Sequence, residues 1–509
     1  MFSASAVRAI DEYVIEEKGI GGFDLMQRAA AAAFRQLVRS WPEASAIMVF
    51  CGGGNNGGDG YLVAAAARRH GLEARCIAVK NPDELEGDAA RACRKAGEDG
   101  VPVDRWDNLD GSARQSLFDS AGLIVDAMLG TGIKGAPREP YKTIIEAANA
   151  APCPVMAIDI PSGLDATTGV TEGAATRADV TATFIALKSG LFLGQGPECA
   201  GRVSLETLQL EFEVSGDGLE HGQSALASRF DWTQLAKAVP RRPVTAHKGR
   251  FGHVLVVAGD HGMGGAGLMV SEAAARTGAG LVTLATRPEH VAPALARCPS
   301  LLVRGVTHGS ELGPLIEAAD VLVCGPGLGK TSWGQQMLQQ VMASGKDRVL
   351  DADALNLMAE QKLERTDNQI LTPHPGEAAR LLACSVGEIE SDRLAAAVSL
   401  QEKYGGVALL KGAGTVIADG KGLPAVLDGS NPGMATGGMG DVLSGIIGSL
   451  LGQGLELQTA ARMAAALHLA AANMASRQSG YMGLLPMDVT RVLPRLLARA
   501  EGMAEPEAI

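Results

Sequence analysis

The chain opens with two stretches of helical spacing, at 3–18 and 23–38, and then changes its period. Short, β-rich apolar runs follow at 46–51, 74–79, 123–125, 155–158 and 180–184. Segments of helical composition, such as 61–70 and 141–150, lie between them. Strand and helix in alternation predict an α/β fold with a mostly parallel sheet covered on both faces. The pattern breaks at 213–228, where the sequence turns polar and glycine-rich, and a second alternating series then begins. Its strands are expected at 253–258, 281–285, 321–324, 348–350, 369–371, 407–410 and 415–418. Two long helices, near 441–451 and 457–476, close it, and the residues from 501 on are expected to fray. The expected organisation is therefore two α/β domains, 1–215 and 229–500, joined by a linker at 216–228.

Bulk properties narrow the function. A chain of 509 residues exceeds one ordinary core, which agrees with two domains. The net charge of −12, the lack of a basic block and an aromatic content of 4% argue against nucleic-acid and anionic-membrane partners. Eight cysteines are dispersed and never form C-x-x-C, so they read as buried reduced thiols rather than a disulfide framework or zinc site. Residues 1–22 carry Asp11, Glu12, Glu16 and Glu17 and have no secretory core, and no apolar run is of membrane-spanning length. A cytoplasmic enzyme is expected, as a homo-oligomer.

The 65 glycines matter by position, because they cluster directly after apolar runs. After the run at 46–51 comes Gly52-Gly53-Gly54-Asn55-Asn56-Gly57-Gly58-Asp59-Gly60, expected as a loop leading into a helix. Such a loop at the carboxyl end of a parallel strand lies where α/β sheets bind ligands. Asp126 precedes Gly130-Thr131-Gly132, and Asp159 precedes Ile160-Pro161-Ser162-Gly163-Leu164. One strand-terminal Asp is often only a turn former. Three such ends on one sheet point to a site.

These three motifs resemble the NAD(P)HX epimerase family over residues 1–215. The resemblance implies a Rossmann-like three-layer sandwich that binds a hydrated nicotinamide dinucleotide. By matching motif, Asn55, Asn56, Gly57, Gly58, Asp59, Gly130, Thr131, Gly132, Ile133, Lys134, Gly135, Ala136, Tyr141 and Asp159 would contact it. Asn56, Asp126 and Ser162 would hold a potassium ion through oxygen. Inverting the carbon that bears the hydroxyl calls for acid–base help, and Asp159 is the expected catalytic residue.

In the second half, glycine-rich or acidic motifs again follow the strands: 259–267, 325–329, Asp351-Ala352-Asp353-Ala354-Leu355-Asn356, Thr372-Pro373-His374-Pro375-Gly376-Glu377, Lys411-Gly412-Ala413-Gly414-Thr415 and Gly437-Gly438-Met439-Gly440-Asp441. Gly329-Lys330-Thr331 ends like a Walker A loop, but Cys324 stands where its first glycine is required, so that reading is rejected. Alone, Asp441 is equally a helix N-cap or a base beside a phosphoryl cradle, and His374 could be structural. The full set resembles the NAD(P)HX dehydratase family of the ribokinase-like superfamily, over 230–500. It implies a second three-layer sandwich, with Ala266, Gly327, His374 and Asp441 at the substrate and Asp441 catalytic. Lys411, Gly412, Ala413, Gly414, Thr415 and Gly440 would contact ADP, which Mg²⁺ accompanies. The loop at 259–263 stays unassigned. Together the resemblances imply a bifunctional NAD(P)HX repair enzyme. Its rivals are a vitamin or sugar kinase, which would leave a stable phosphate ester, and a non-catalytic scaffold, which would not need Asp59, Asp126, Asp159 and Asp441.

Overall fold

The β-branched runs of the first half are strands buried on both faces, as Val155–Ile158 and Val180–Phe184 illustrate. The computed structural model describes residues 1–132, 135–210, 224–361 and 365–503. It divides into two units, Met1–Ala227 and Ser228–Ile509. The strands of the first unit are β1 (Ala46–Cys51), β2 (Glu73–Ala78), β3 (Val103–Arg105), β4 (Ile124–Ala127), β5 (Val155–Ile158), β6 (Val180–Phe184) and β7 (Arg202–Glu206). They form one parallel sheet in the order β3-β2-β1-β4-β5-β6-β7. The chain runs outward in both directions from β1 and β4, so a crevice opens between their carboxyl ends.

Three helices shape that crevice: α1 (Ala4–Glu16), α2 (Gly22–Ser40) and α3 (Asn55–Arg69). Ser3 caps α1 by accepting the Ala6 N–H at 3.0 Å, and Val7, Ile10 and Val14 form its buried stripe. The helix expected at 61–70 starts six residues earlier, at Asn55, so Asn55–Gly60 is helix rather than loop. Its glycines account for the difference. A Cβ on Gly57 would lie 2.0 Å from the Gly52 carbonyl oxygen, and one on Gly60 would lie 2.5 Å from the Ala127 Cβ. Here the missing side chains seat a helix against the strand ends.

In the second unit β8 (Ser228–Phe230), β9 (His253–Val257), β10 (Leu281–Thr286), β11 (Leu302–Gly305), β12 (Val321–Cys324), β13 (Arg348–Leu350), β14 (Gln369–Leu371), β15 (Val407–Leu410), β16 (Val416–Ala418) and β17 (Ala425–Leu427) share a sheet. Their order is β11-β10-β9-β12-β13-β14-β15-β16-β17-β8, and only β16 runs antiparallel to its neighbours. Helices Gly264–Arg276, Met439–Gly452, Leu457–Ser479 and Pro486–Ala500 pack over a shared apolar cluster. The last of these was not expected from the sequence. Of the linker expected at 216–228, residues 216–223 lie outside the described residues, and Ser228 opens β8. Of the end expected to fray, 504–509 also lie outside them. The eight cysteines form no disulfide, but only Cys51, Cys76, Cys199 and Cys324 are buried. Among the described residues no helix is long and apolar enough to cross a membrane.

Candidate active sites

A cavity of about 620 Å³ fills the crevice of the first unit. The sheet edge supplies Asn55, Asn56 and Asp59 from the start of α3, Gly130, Thr131 and Gly132 after β4, and Asp159 after β5; Tyr141 also lines it. Gly57 and Gly58 are buried beneath the lining, Gly58 with its α-carbon against Met26. Gly135 and Ala136 pack towards Glu172 and Gly173 instead. Ile133 and Lys134 lie outside the described residues.

Asp159 sits at φ +64°, a conformation that Asp tolerates better than most residues. Its carboxylate is fixed from several sides: the Thr183 hydroxyl and the Phe184 N–H each donate to it at 3.2 Å, and the Lys188 ammonium makes a close ion pair. Lys188 is 1% exposed and also donates to the Thr183 hydroxyl and the Phe184 carbonyl. The sequence reading missed Lys188, because it follows β6 without a glycine loop between. It missed α1 as well: Val7, Arg8, Asp11 and Ile15 are helical neighbours on one face and line the cavity.

Behind the lining, Asp126 is 1% exposed. It accepts the Ser162 hydroxyl at 2.6 Å and the Ser162 and Met128 N–H groups at 2.8 and 3.1 Å. Burial still pushes its carboxyl upward, against those donors. Asn56 donates its amide N–H to the Leu129 carbonyl at 3.1 Å, while its buried Oδ1 has no protein partner. Burying such an oxygen unpaired is costly, so the atom suits a cation supplied from outside. The side chains expected to share such an ion, Asp126 and Ser162, likewise offer only oxygens. That composition fits a hard cation better than a soft transition metal.

The second unit gathers its motifs at the carboxyl ends of its strands. Asp351, after β13, is 1% exposed and bonds the Lys411 ammonium at 2.8 Å and the Ser444 hydroxyl at 2.8 Å. Lys411, after β15, also faces Glu377 at 3.9 Å. Despite its burial, Lys411 is held above the usual lysine range by Asp351 and Glu377, and Asp351 is held below the carboxylate range by Lys411. A Cβ on Gly440 would lie 3.1 Å from the Lys411 Nζ, so the glycine turn rests on this pair. Gly438 is the N-cap of helix Met439–Gly452, at φ +94°, which puts Asp441 in the first turn and excludes the N-cap reading. Burial, reinforced by the Asp351 charge, pushes Asp441 up to about 7 in spite of Lys411.

His374 caps helix Pro375–Leu382, its Nδ1 accepting the Gly376 N–H at 3.0 Å and its ring remaining half exposed. Burial and Lys411 hold it below the usual histidine range. Residues 412–415 form the hairpin between β15 and β16, with Gly412 and Ala413 exposed. Ala266 and Gly327 meet at the ends of β9 and β12, since a Cβ on Gly327 would lie 3.0 Å from that of Ala266. The unassigned loop at 259–263 explains how they are held. Asp260 is 3% exposed, donates its N–H to the Gly327 carbonyl and accepts Arg287 Nε at 2.7 Å and the Thr331 hydroxyl at 3.0 Å. Although burial opposes it, this carboxylate lies below its usual range, because Arg287, the His261 N–H and Thr331 all favour its charge.

Two families match the chain. Residues 22–190 match the YjeF-related protein N-terminus, and residues 254–495 match the NAD(P)H-hydrate dehydratase family. A ribokinase-like superfamily protein from Enterococcus faecalis, 30% identical, covers 55% of this chain and 99% of its own with a TM-score of 0.51. The bifunctional NAD(P)H-hydrate repair enzyme Nnr of Coxiella burnetii is 42% identical over 96% of this chain and 97% of its own. Its counterpart from Escherichia coli is 45% identical over 97% of this chain and 93% of its own. With both sites built at the sheet edges where these motifs fall, and likeness running nearly end to end, the chain belongs to the family of bifunctional NAD(P)H-hydrate repair enzymes.

Proposed function

We propose that the first unit interconverts the R and S epimers of NAD(P)HX, and that the second dehydrates the S epimer at the expense of ADP. The products are NAD(P)H, AMP and phosphate. The observation that carries the second half is Asp441, a half-buried carboxyl titrating near neutrality beside a glycine turn at a helix N-terminus. Ionised, it takes the proton of the substrate hydroxyl, which attacks the terminal phosphorus of the nucleotide. The phosphate ester then leaves in place of a hydroxide. Lys411 and the backbone of 412–415 and Gly440 face the nucleotide, while Ala266, Gly327 and His374 hold the dinucleotide. Among the described residues no cluster of three or more His, Cys, Asp or Glu forms a metal cage. That suits Mg²⁺ arriving on the nucleotide phosphates, whose negative charge it would offset.

In the first unit the dinucleotide occupies the cavity against Asn55, Asn56, Asp59, Gly130, Thr131, Gly132, Tyr141 and Asp159, and Asp159 exchanges protons with its hydroxyl. Asn56, Asp126 and Ser162 would hold K⁺, and the orphaned Asn56 Oδ1 supports that choice. The enzyme acts as a cytoplasmic homo-oligomer. The test is recovery of reduced-nicotinamide absorbance from mixed NADHX epimers given Mg²⁺ and ADP. Complete recovery with AMP and phosphate is expected. A stable phosphate ester of the substrate would indicate a kinase and overturn the reading.

A further inference from the structure

Carboxyl groups outnumber cations around the first cavity. Asp11, Asp59, Asp88 and Asp159 line it, against Arg8 and Lys188. Arg8 donates to the Thr131 carbonyl at 2.9 Å, and Lys188 is committed to Asp159, Thr183 and Phe184. Asp11 therefore faces the cavity from α1 with no hydrogen bond or ion pair from any described residue. Asp159 faces the same space from the sheet edge with its charge compensated. Losing and regaining a hydroxyl with inversion requires proton transfer on both faces of the ring. A single carboxylate fixed to the sheet reaches one of them.

We infer that Asp11 is a second catalytic residue of the epimerase, giving a proton to the departing hydroxyl while Asp159 takes one from the water that replaces it. This rests on the epimerase reading of the same cavity. The protonated Asp11 carboxyl delivers its proton to the hydroxyl oxygen, and the C–O bond breaks with its electron pair leaving as water. The ring-nitrogen lone pair forms a C=N bond. Water then adds to the opposite face, its oxygen making the new C–O bond, its proton passing to Asp159 and the C=N pair returning to nitrogen. One water leaves and one enters. The proton ends on Asp159, the state from which the reverse reaction starts.

The surroundings of Asp11 suit an acid. Burial pushes it up to about 7, with Lys188 opposing and the charges of Asp159 and Glu12 adding. Asp59 is held well above the carboxylate range by burial, reinforced by Asp159 and Asp11. Asp11 is thus protonated below about pH 7 and loses its proton above it, where epimerisation should slow.

The experiment starts from purified R epimer without ADP, so that the dehydratase is idle, and follows the R-to-S ratio by chromatography across neutral pH. Asp11→Asn should lower kcat by about 100-fold or more with KM little changed, and should lose the decline above neutrality. Asp11→Glu should restore both rate and decline. An Asp11→Asn enzyme with the wild-type kcat, or one raised only in KM, overturns the inference. So does a wild-type rate that is flat through pH 7, which needs no variant to fold. A wild-type chain that does not accelerate exchange at all would remove the epimerase reading, and this inference with it.

Discussion

If Asp441 is the base of the second site, as proposed, the chemistry there depends on where this carboxyl ionises. A base must be deprotonated, and burial beside Asp351 lifts this carboxyl to about 7. The dehydratase rate at saturating ADP should therefore rise as pH increases through about 7 and then level off. Asp441→Asn should lower kcat by about 10³-fold while ADP binding, measured calorimetrically, persists. An active Asn variant would remove Asp441 as the base. In the first unit the proposed ion site centres on Asn56, whose buried Oδ1 has no protein partner. If K⁺ binds there and not to the unfolded chain, the melting temperature of this unit should climb with K⁺. The stabilisation would be about 2.7 kcal/mol at a hundredfold excess over Kd. Tetramethylammonium should not substitute, and Asn56→Leu should erase the dependence. Equal melting in both salts would argue against the ion site.

At the scale of elements, glycine placement decides how closely helices approach the sheets. A Cβ on Gly445 of helix Met439–Gly452 would lie 2.2 Å from the Val270 carbonyl oxygen, and one on Gly448 would lie 2.4 Å from a Val323 methyl carbon. Backbone cannot yield as a flexible side chain can. Gly445→Ala should therefore cost about 1–3 kcal/mol in thermal unfolding. Gly265, whose Cβ would meet nothing within 4 Å, is the control. Gly265→Ala should be neutral or stabilise by about 0.5–1 kcal/mol. Similar losses from both would mean that contact is not what selects glycine at 445. The same physics explains what the sequence could tell. Strands buried on both faces, such as β1, β5 and β12, carry continuous apolar runs and were legible. The short, partly exposed β3, β7 and β11 lie at or next to sheet edges, where that signal fades. Asn55–Gly60 looked like a phosphate loop because glycine that permits a ligand and glycine that permits a helix are the same residue. Asp159 and Asp441 were legible from their motifs, whereas Asp11, Lys188 and Asp260 reach their sites only through tertiary packing.

For the whole molecule, the two reactions run in series. The first site turns the R epimer into the only form the second consumes, so removing either proposed catalytic residue should leave the other site working. An Asp159→Asn chain should recover the S fraction of an NADHX mixture promptly and the remainder only at the spontaneous epimerisation rate. An Asp441→Ala chain should recover none, yet still equilibrate the epimers. An equal mixture of the two chains then separates the possibilities. If the intermediate travels through solution, the mixture should recover all the NADH at a rate set by the slower site. A mixture that recovers everything but lags well behind wild type at matched site concentrations would mean that S-NADHX passes to the second site before it escapes. A mixture that stalls at the S fraction would mean that the first site does not supply the second, and the series arrangement would fail.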